Sequence, residues 1–183
     1  MATTRFWFDS VATPDVSPTF FGWQYTGIAI RRKLKQVKGG SALTNIAYDA
    51  GTIDVGTVQL YQFVGDPMRA GIAFTASTDT CSGVMLCLQD VIGLGAPYGI
   101  KGWNFILRAF SQDGSTVRST LLITTASPLY GILPTGTGVS RRIADATPLT
   151  GTYTTVAGDR LVLEIAFVDY DTSPGHPIAQ AGE

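Results

Sequence analysis

The residue types able to do chemistry are few and scattered along the chain. His176 is the only histidine among 183 residues, so a Ser-His-Asp or Cys-His site would have to use it. It stands between Gly175 and Pro177 in a tail, where a general base is hard to hold in the geometry that proton transfer needs. Glu164 could pair with an aspartate for glycoside hydrolysis. In the run Leu161-Val162-Leu163-Glu164-Ile165-Ala166-Phe167 it falls on the parity opposite the leucines, which reads as the wet face of a core strand. Asp169 and Asp171 stand two apart, without Asn, Gly and Glu at the spacing of a calcium loop. Cys81 and Cys87 are six apart in one expected strand, about 20 Å from each other when extended. A disulfide needs Cα atoms within roughly 7 Å, so both read as free thiols. Two cysteines and one histidine cannot build a structural zinc site. Gly93-Leu94-Gly95 with Gly99 has the outline of a phosphate loop, yet a strand, not the required helix, comes next at Trp103. No catalytic residue, cofactor or metal is expected, and the chain does not read as an enzyme.

The densest charge lies in Arg31 to Lys38, with five basic residues in eight. Extended, Arg31, Lys33 and Lys35 share one face and Arg32 opposes them. No aromatic is interleaved, as single-strand nucleic-acid binders prefer. The segment reads as a solvated hairpin end or a protein–protein contact, and nucleic acid is not the expected partner. Net charge is −1, so no overall field favours nucleic acid or acidic membranes. No apolar run approaches the roughly 20 residues of a membrane span. Met1 to Phe8 lacks the basic-then-apolar order of a signal peptide, so synthesis in a cytoplasm is expected.

The elements that must position these residues read as strands. Charged residues make up 15% of the chain, below the roughly 25% of an average soluble protein. Glycine occurs 21 times, poor helix material and good strand-and-turn material. The clearest unit is a hairpin from Trp103 to Thr124. Trp103, Phe105, Leu107 and Ala109 alternate with Asn104 and Arg108. In the second arm Val117, Leu121 and Ile123 alternate with Arg118, Thr120 and Thr124. Asp113-Gly114 supplies its turn, because glycine takes positive φ without steric cost. Ile106, Phe110 and Leu122 break the alternation, so their face calls for a cover from a second sheet or a neighbouring subunit. Further strands are expected at Arg5–Phe8, Trp23–Leu34, Ala42–Tyr48, Thr57–Val64, Gly71–Thr75, around Val84–Leu88, at Arg141–Ile143, Gly151–Val156 and Leu161–Phe167. Ile92–Lys101 and Ala126–Ser140 read as long Gly/Pro-rich loops, and 171–183 as an extended tail after one domain over 1–170. The fold expected is all-β: an antiparallel β-sandwich, jelly-roll-like. Charge this sparse has little with which to cover a large free surface, which points to apolar area buried against other subunits.

Several of these stretches fall in a distinctive order. Arg5-Phe6-Trp7-Phe8 is followed by Val16-Ser17-Pro18, Gly22-Trp23, the basic Arg31-Arg32 and Tyr61-Gln62-Phe63-Val64-Gly65-Asp66-Pro67. Then come Ser111-Gln112-Asp113-Gly114-Ser115-Thr116-Val117-Arg118-Ser119-Thr120-Leu121 and Gly158-Asp159-Arg160-Leu161-Val162-Leu163-Glu164-Ile165. The pattern resembles a family of virion structural proteins of tailed bacteriophages, known largely from environmental phage genomes. The resemblance implies a non-enzymatic component of the particle, such as a head decoration or a tail or fibre protein. It implies localisation in the virion, with copies of itself and other virion proteins as partners, and it supplies no catalytic residues. Contact residues expected from the sequence are Arg31, Arg32 and Lys33 as a polar rim, with Ile106, Phe110 and Leu122. The rival expectation is a carbohydrate-binding module for host attachment, with Trp7, Trp23, Tyr98 and Tyr130 as candidate stacking platforms for a glycan.

Overall fold

A computed structural model describes residues 4–9, 12–19, 29–36, 44–47, 58–81, 86–88, 101–123, 147–169 and 178–181. The strands are β1 (Trp7–Phe8), β2 (Ala29–Lys35), β3 (Thr44–Ala47), β4 (Val58–Gly65), β5 (Ala73–Phe74), β6 (Thr80–Cys81) and β7 (Leu86–Leu88). They continue as β8 (Lys101–Phe110), β9 (Val117–Ile123), β10 (Thr147–Pro148), β11 (Tyr153–Thr154), β12 (Arg160–Asp169) and β13 (Ile178–Ala181). The described residues contain no helix, so the all-β expectation holds. Six strands form the main sheet in the order β1-β2-β4-β12-β8-β9, and β3-β13-β7, β10-β6 and β11-β5 form smaller ones.

The sheet is organised around β12 rather than around the hairpin. Leu161, Leu163 and Ile165 alternate with Val162 and Glu164, and both edges of the strand are paired, with β4 on one side and β8 on the other. The hairpin is present as β8 and β9, with β9 at the sheet edge. One pair departs from the antiparallel expectation: β2 runs parallel to β4, with Arg31 opposite Gln62 and Lys33 opposite Val64. A parallel pair needs a long crossover, and here β3 lies within that connection. The segment after residue 171, expected to be an extended tail, contributes β13 as the middle strand of its own sheet. The strand expected to hold both cysteines is instead two strands in separate sheets, with Cys81 in β6 and Cys87 in β7. The strand expected at Arg141–Ile143 and the two Gly/Pro-rich loops, apart from Lys101, fall outside the described residues.

Two irregularities explain why alternation misreads β9. The register against β8 shifts between Leu107 and Arg108 and again between Ala109 and Phe110, so Leu121 and Arg118 are extra residues on the β9 side. Such bulges reset the facing of the residues beyond them. Leu121 and Leu122 are consequently both buried, while Ile123 is 52% exposed.

Among the described residues, side chains on both faces of the main sheet are covered by the chain itself. On one face Leu121, Leu122 and Leu161 pack with Leu149, and Phe74, Cys81 and Tyr153 from the small sheets close against them. On the other, Val64, Phe110 and Val162 are covered by Val16 and Val117. Val16 belongs to an extended strap, residues 12–19, with Ala12, Pro14, Val16 and Pro18 turned inward and Thr13, Asp15, Ser17 and Thr19 exposed. Glycine is required at 114 on two counts, the turn itself and the strap. Its φ is +74°, and a Cβ there would sit 3.1 Å from the Pro18 ring.

Candidate functional site

Directly paired residues share a face, so the register lines up Arg31, Gln62 and Glu164 across β2, β4 and β12. Arg108 joins them from β8, two residues beyond Ile106, which is the β8 residue opposite Glu164. The side chains make one continuous row. Arg31 Nε donates to Gln62 Oε1 at 3.0 Å, and Gln62 Nε2 donates to Glu164 Oε1 at 3.0 Å. Arg108 Nη1 closes the row on Glu164 Oε2 as an ion pair. Gln62 and Glu164 are fully buried and Arg108 nearly so. Burial pushes the Arg108 guanidinium below its ordinary value, while the Glu164 charge pulls it back up.

This corrects one expectation. Glu164 is not on a wet face, and Arg108 is buried with it. Their face lies under the strap at one end, so a charge there needs a partner inside the protein. The sequence holds a signal for this: Arg108 lies between Ile106 and Phe110 on its own parity, and Glu164 comes two residues after Val162. An acid and a base, each embedded in an apolar face of a long strand, mark a buried pair. As a site, the row offers little chemistry. Both Glu164 oxygens are engaged, and the arrangement ties four strands together.

A second buried cation does similar work at the sheet end. Arg160 reaches Asp15 of the strap with two hydrogen bonds, at 2.9 and 3.1 Å, and also donates to Gln112 O and Gly65 O. The bond from Arg160 holds the Asp15 carboxyl below its usual range. Asp159 accepts from Tyr153 Oη and from Val156 N, fixing the turn before β12. Burial first, and then the bond to Asp159, raises the Tyr153 hydroxyl. In the hairpin loop Asp113 accepts from Ser111 Oγ, Ser115 N and Ser115 Oγ, and these bonds bring its carboxyl down to about 2.

Ile106, Phe110 and Leu122, expected as contact residues, are buried within the chain; Phe110 lies under Val16 and Val117, and Leu122 packs with Leu121, Leu149 and Leu161 on the opposite face. Arg31 is half-buried and held by Gln62 and by the Pro18 carbonyl, to which Nη2 donates at 3.2 Å. Arg32 Nη1 donates to Arg31 O, while the Lys33 amide donates to Ala12 O of the strap and its carbonyl accepts from Asp9 N. Lys35 is ion-paired with Asp9. The basic segment is thus built into the sheet. Cys81 is a free thiol packed against the core, and burial raises its pKa. Trp7 is half-buried. His176, Asp171, Trp23, Tyr98, Tyr130 and the Gly93–Gly99 motif lie outside the described residues. Among the described residues no group of three His, Cys, Asp or Glu side chains is disposed to hold a metal.

The described surface carries an open cleft. It measures about 360 Å³, is floored by Phe6, Leu34, Met68, Ile72 and Leu161 and is rimmed by Asp66 and Arg69. Its size falls at the low end of small-ligand sites, which run from about 300 to 1,000 Å³. Residue spacing carries no sign of it, because it joins the N-terminal segment to the stretch after β4.

Over the described residues the structure is all-β, and its buried charges tie strands, strap and turns to one another. No protein-family model, curated protein or solved structure matches the chain.

Proposed function

We propose that this chain is a non-enzymatic structural component of a phage particle, a head decoration or a tail or fibre protein, built as a jelly-roll-like sandwich. It acts through contacts with copies of itself and other virion proteins. The observation that carries this is the ordered set of stretches resembling the tailed-phage virion family. The described ones among those stretches build the frame. Val16 and Pro18 form the strap, Arg31 and Gln62 the buried row, Asp113 and Gly114 the hairpin loop, and Asp159, Arg160 and Glu164 the turn and central strand. A frame locked by buried pairs at several points suits a protein whose task is to hold shape while its surface is bound. The low overall charge supports burial of further surface in an assembly.

The test is mass spectrometry of purified particles, in which the chain should appear at a fixed, multiple copy number. Its absence from intact particles would end the proposal. The glycan-binding alternative draws support from the cleft, where Phe6 lies with polar Asp66 and Arg69. Binding on a glycan array by the full chain, together with absence from particles, would favour it.

A further inference from the structure

The cleft rim carries one acid and one base with nothing to hold. Asp66 and Arg69 are exposed, and among the described residues neither the carboxylate nor the guanidinium has a hydrogen bond or ion pair. Beside them stands a projecting apolar side chain. The turn after β11 is bonded to the cleft segment, with Thr155 Oγ1 donating to Arg69 O and Gly158 N to Met68 O, each at 2.8 Å. Val156 sits on that turn and is 56% exposed, against 52% for Ile123, the other large apolar side chain so exposed among the described residues.

A knob beside a hollow, with opposite charges on one rim, is self-complementary under a two-fold rotation. Rotation carries Val156 of each copy toward the hollow of the other and sets Asp66 against Arg69 twice. A polyanion would meet Asp66 and a polycation would meet Arg69, whereas a second copy satisfies both. We propose that this face joins two copies of the chain about a two-fold axis, with Val156 seated on the floor of Phe6, Met68 and Ile72 and two reciprocal Asp66–Arg69 pairs at the rim. The proposal rests on the assembly reading and names the partner of one face. Stable contacts bury roughly 1,200 Å² or more in total, so surface around the cleft joins it.

Sedimentation velocity of the full chain across a concentration series tests this. The wild type should show a monomer–dimer equilibrium that weakens with salt. Asp66→Arg or Arg69→Asp alone should weaken it about tenfold, since like charges then meet at both pairs. Val156→Asp should weaken it at least as much. The double variant Asp66→Arg/Arg69→Asp should return close to the wild type, because the reversed pairs match again. These side chains are exposed, so unchanged circular dichroism is expected throughout. A wild type that stays monomeric at millimolar concentration overturns the proposal, as does a double variant no better than the singles. Monomeric protein whose Phe6 and Arg69 resonances shift with chitotriose overturns it in favour of a glycan in the cleft. A chain monomeric alone but present in purified particles ends this proposal and leaves the structural reading standing.

Discussion

Glu164 is the residue on which most depends. It is fully buried, and its two oxygens accept from Arg108 and Gln62. Removing one member of such a pair leaves a desolvated charge, at a cost of roughly 3–5 kcal/mol. Glu164→Ala should therefore lower the urea midpoint sharply, and adding Arg108→Leu should recover a large part of the loss. Independent, additive losses would show that the pair is not the unit. Asp113 makes the opposite case at the surface. Its carboxyl is depressed to about 2 from an ordinary 3.8. A depressed acid stabilises the fold above its ordinary value and loses that contribution as pH falls through the folded value. The hairpin loop should therefore hold at pH 5 and loosen between about 4 and 2. The Asp113 side-chain resonance should titrate near the low end of that window, and Ser115→Ala should move it upward. A midpoint at the ordinary value in the wild type would remove the hydroxyl bonds from the account.

At the scale of elements, the strap explains how a face rich in charged residues becomes interior. Val16 covers Val64, Phe110 and Val162, Asp15 meets Arg160, and the Lys33 amide donates to Ala12 O at 3.0 Å. Truncating Val16 to Ala removes two methyl groups from a half-buried position, worth about 1 kcal/mol. The Lys33 amide should then exchange faster with solvent, while the Leu163 amide in β12 stays protected. Equal acceleration at both would mean that the strap does not open separately. The same elements show what was legible in the sequence. Period-two alternation in 161–167 and 103–110 identified β12 and β8 because those strands are regular. It failed on β9, where two bulges change which side chains turn inward, and a bulge leaves no mark in apolar spacing. It also failed for Glu164. Alternation records the polarity of a residue, whereas burial depends on what covers the face, and the part of that cover supplied by Val16 is far from that position along the chain. The parallel β2–β4 pair was hidden for a related reason: direction is set by the crossover, and strand content says nothing about it.

At the scale of the whole molecule, the chain builds its interior from within. Ile106, Phe110 and Leu122, expected to need an outside cover, already have one. Among the described residues the exposed large apolar side chains are Val156 and Ile123, and the Arg31 guanidinium is tied to Gln62 and the Pro18 carbonyl. Charge reversal at Arg31 should destabilise the fold itself, because the guanidinium holds Gln62 and the strap carbonyl. The central claim is that the protein works by assembly. The measurement that tests it most directly is an electron density map of the native particle. The account predicts this chain at regular, repeated positions, with specific contacts of roughly 1,200–2,000 Å² to its own copies or to another virion protein. Particles whose density has no place for the chain, together with a purified protein that stays monomeric in their presence, would contradict it.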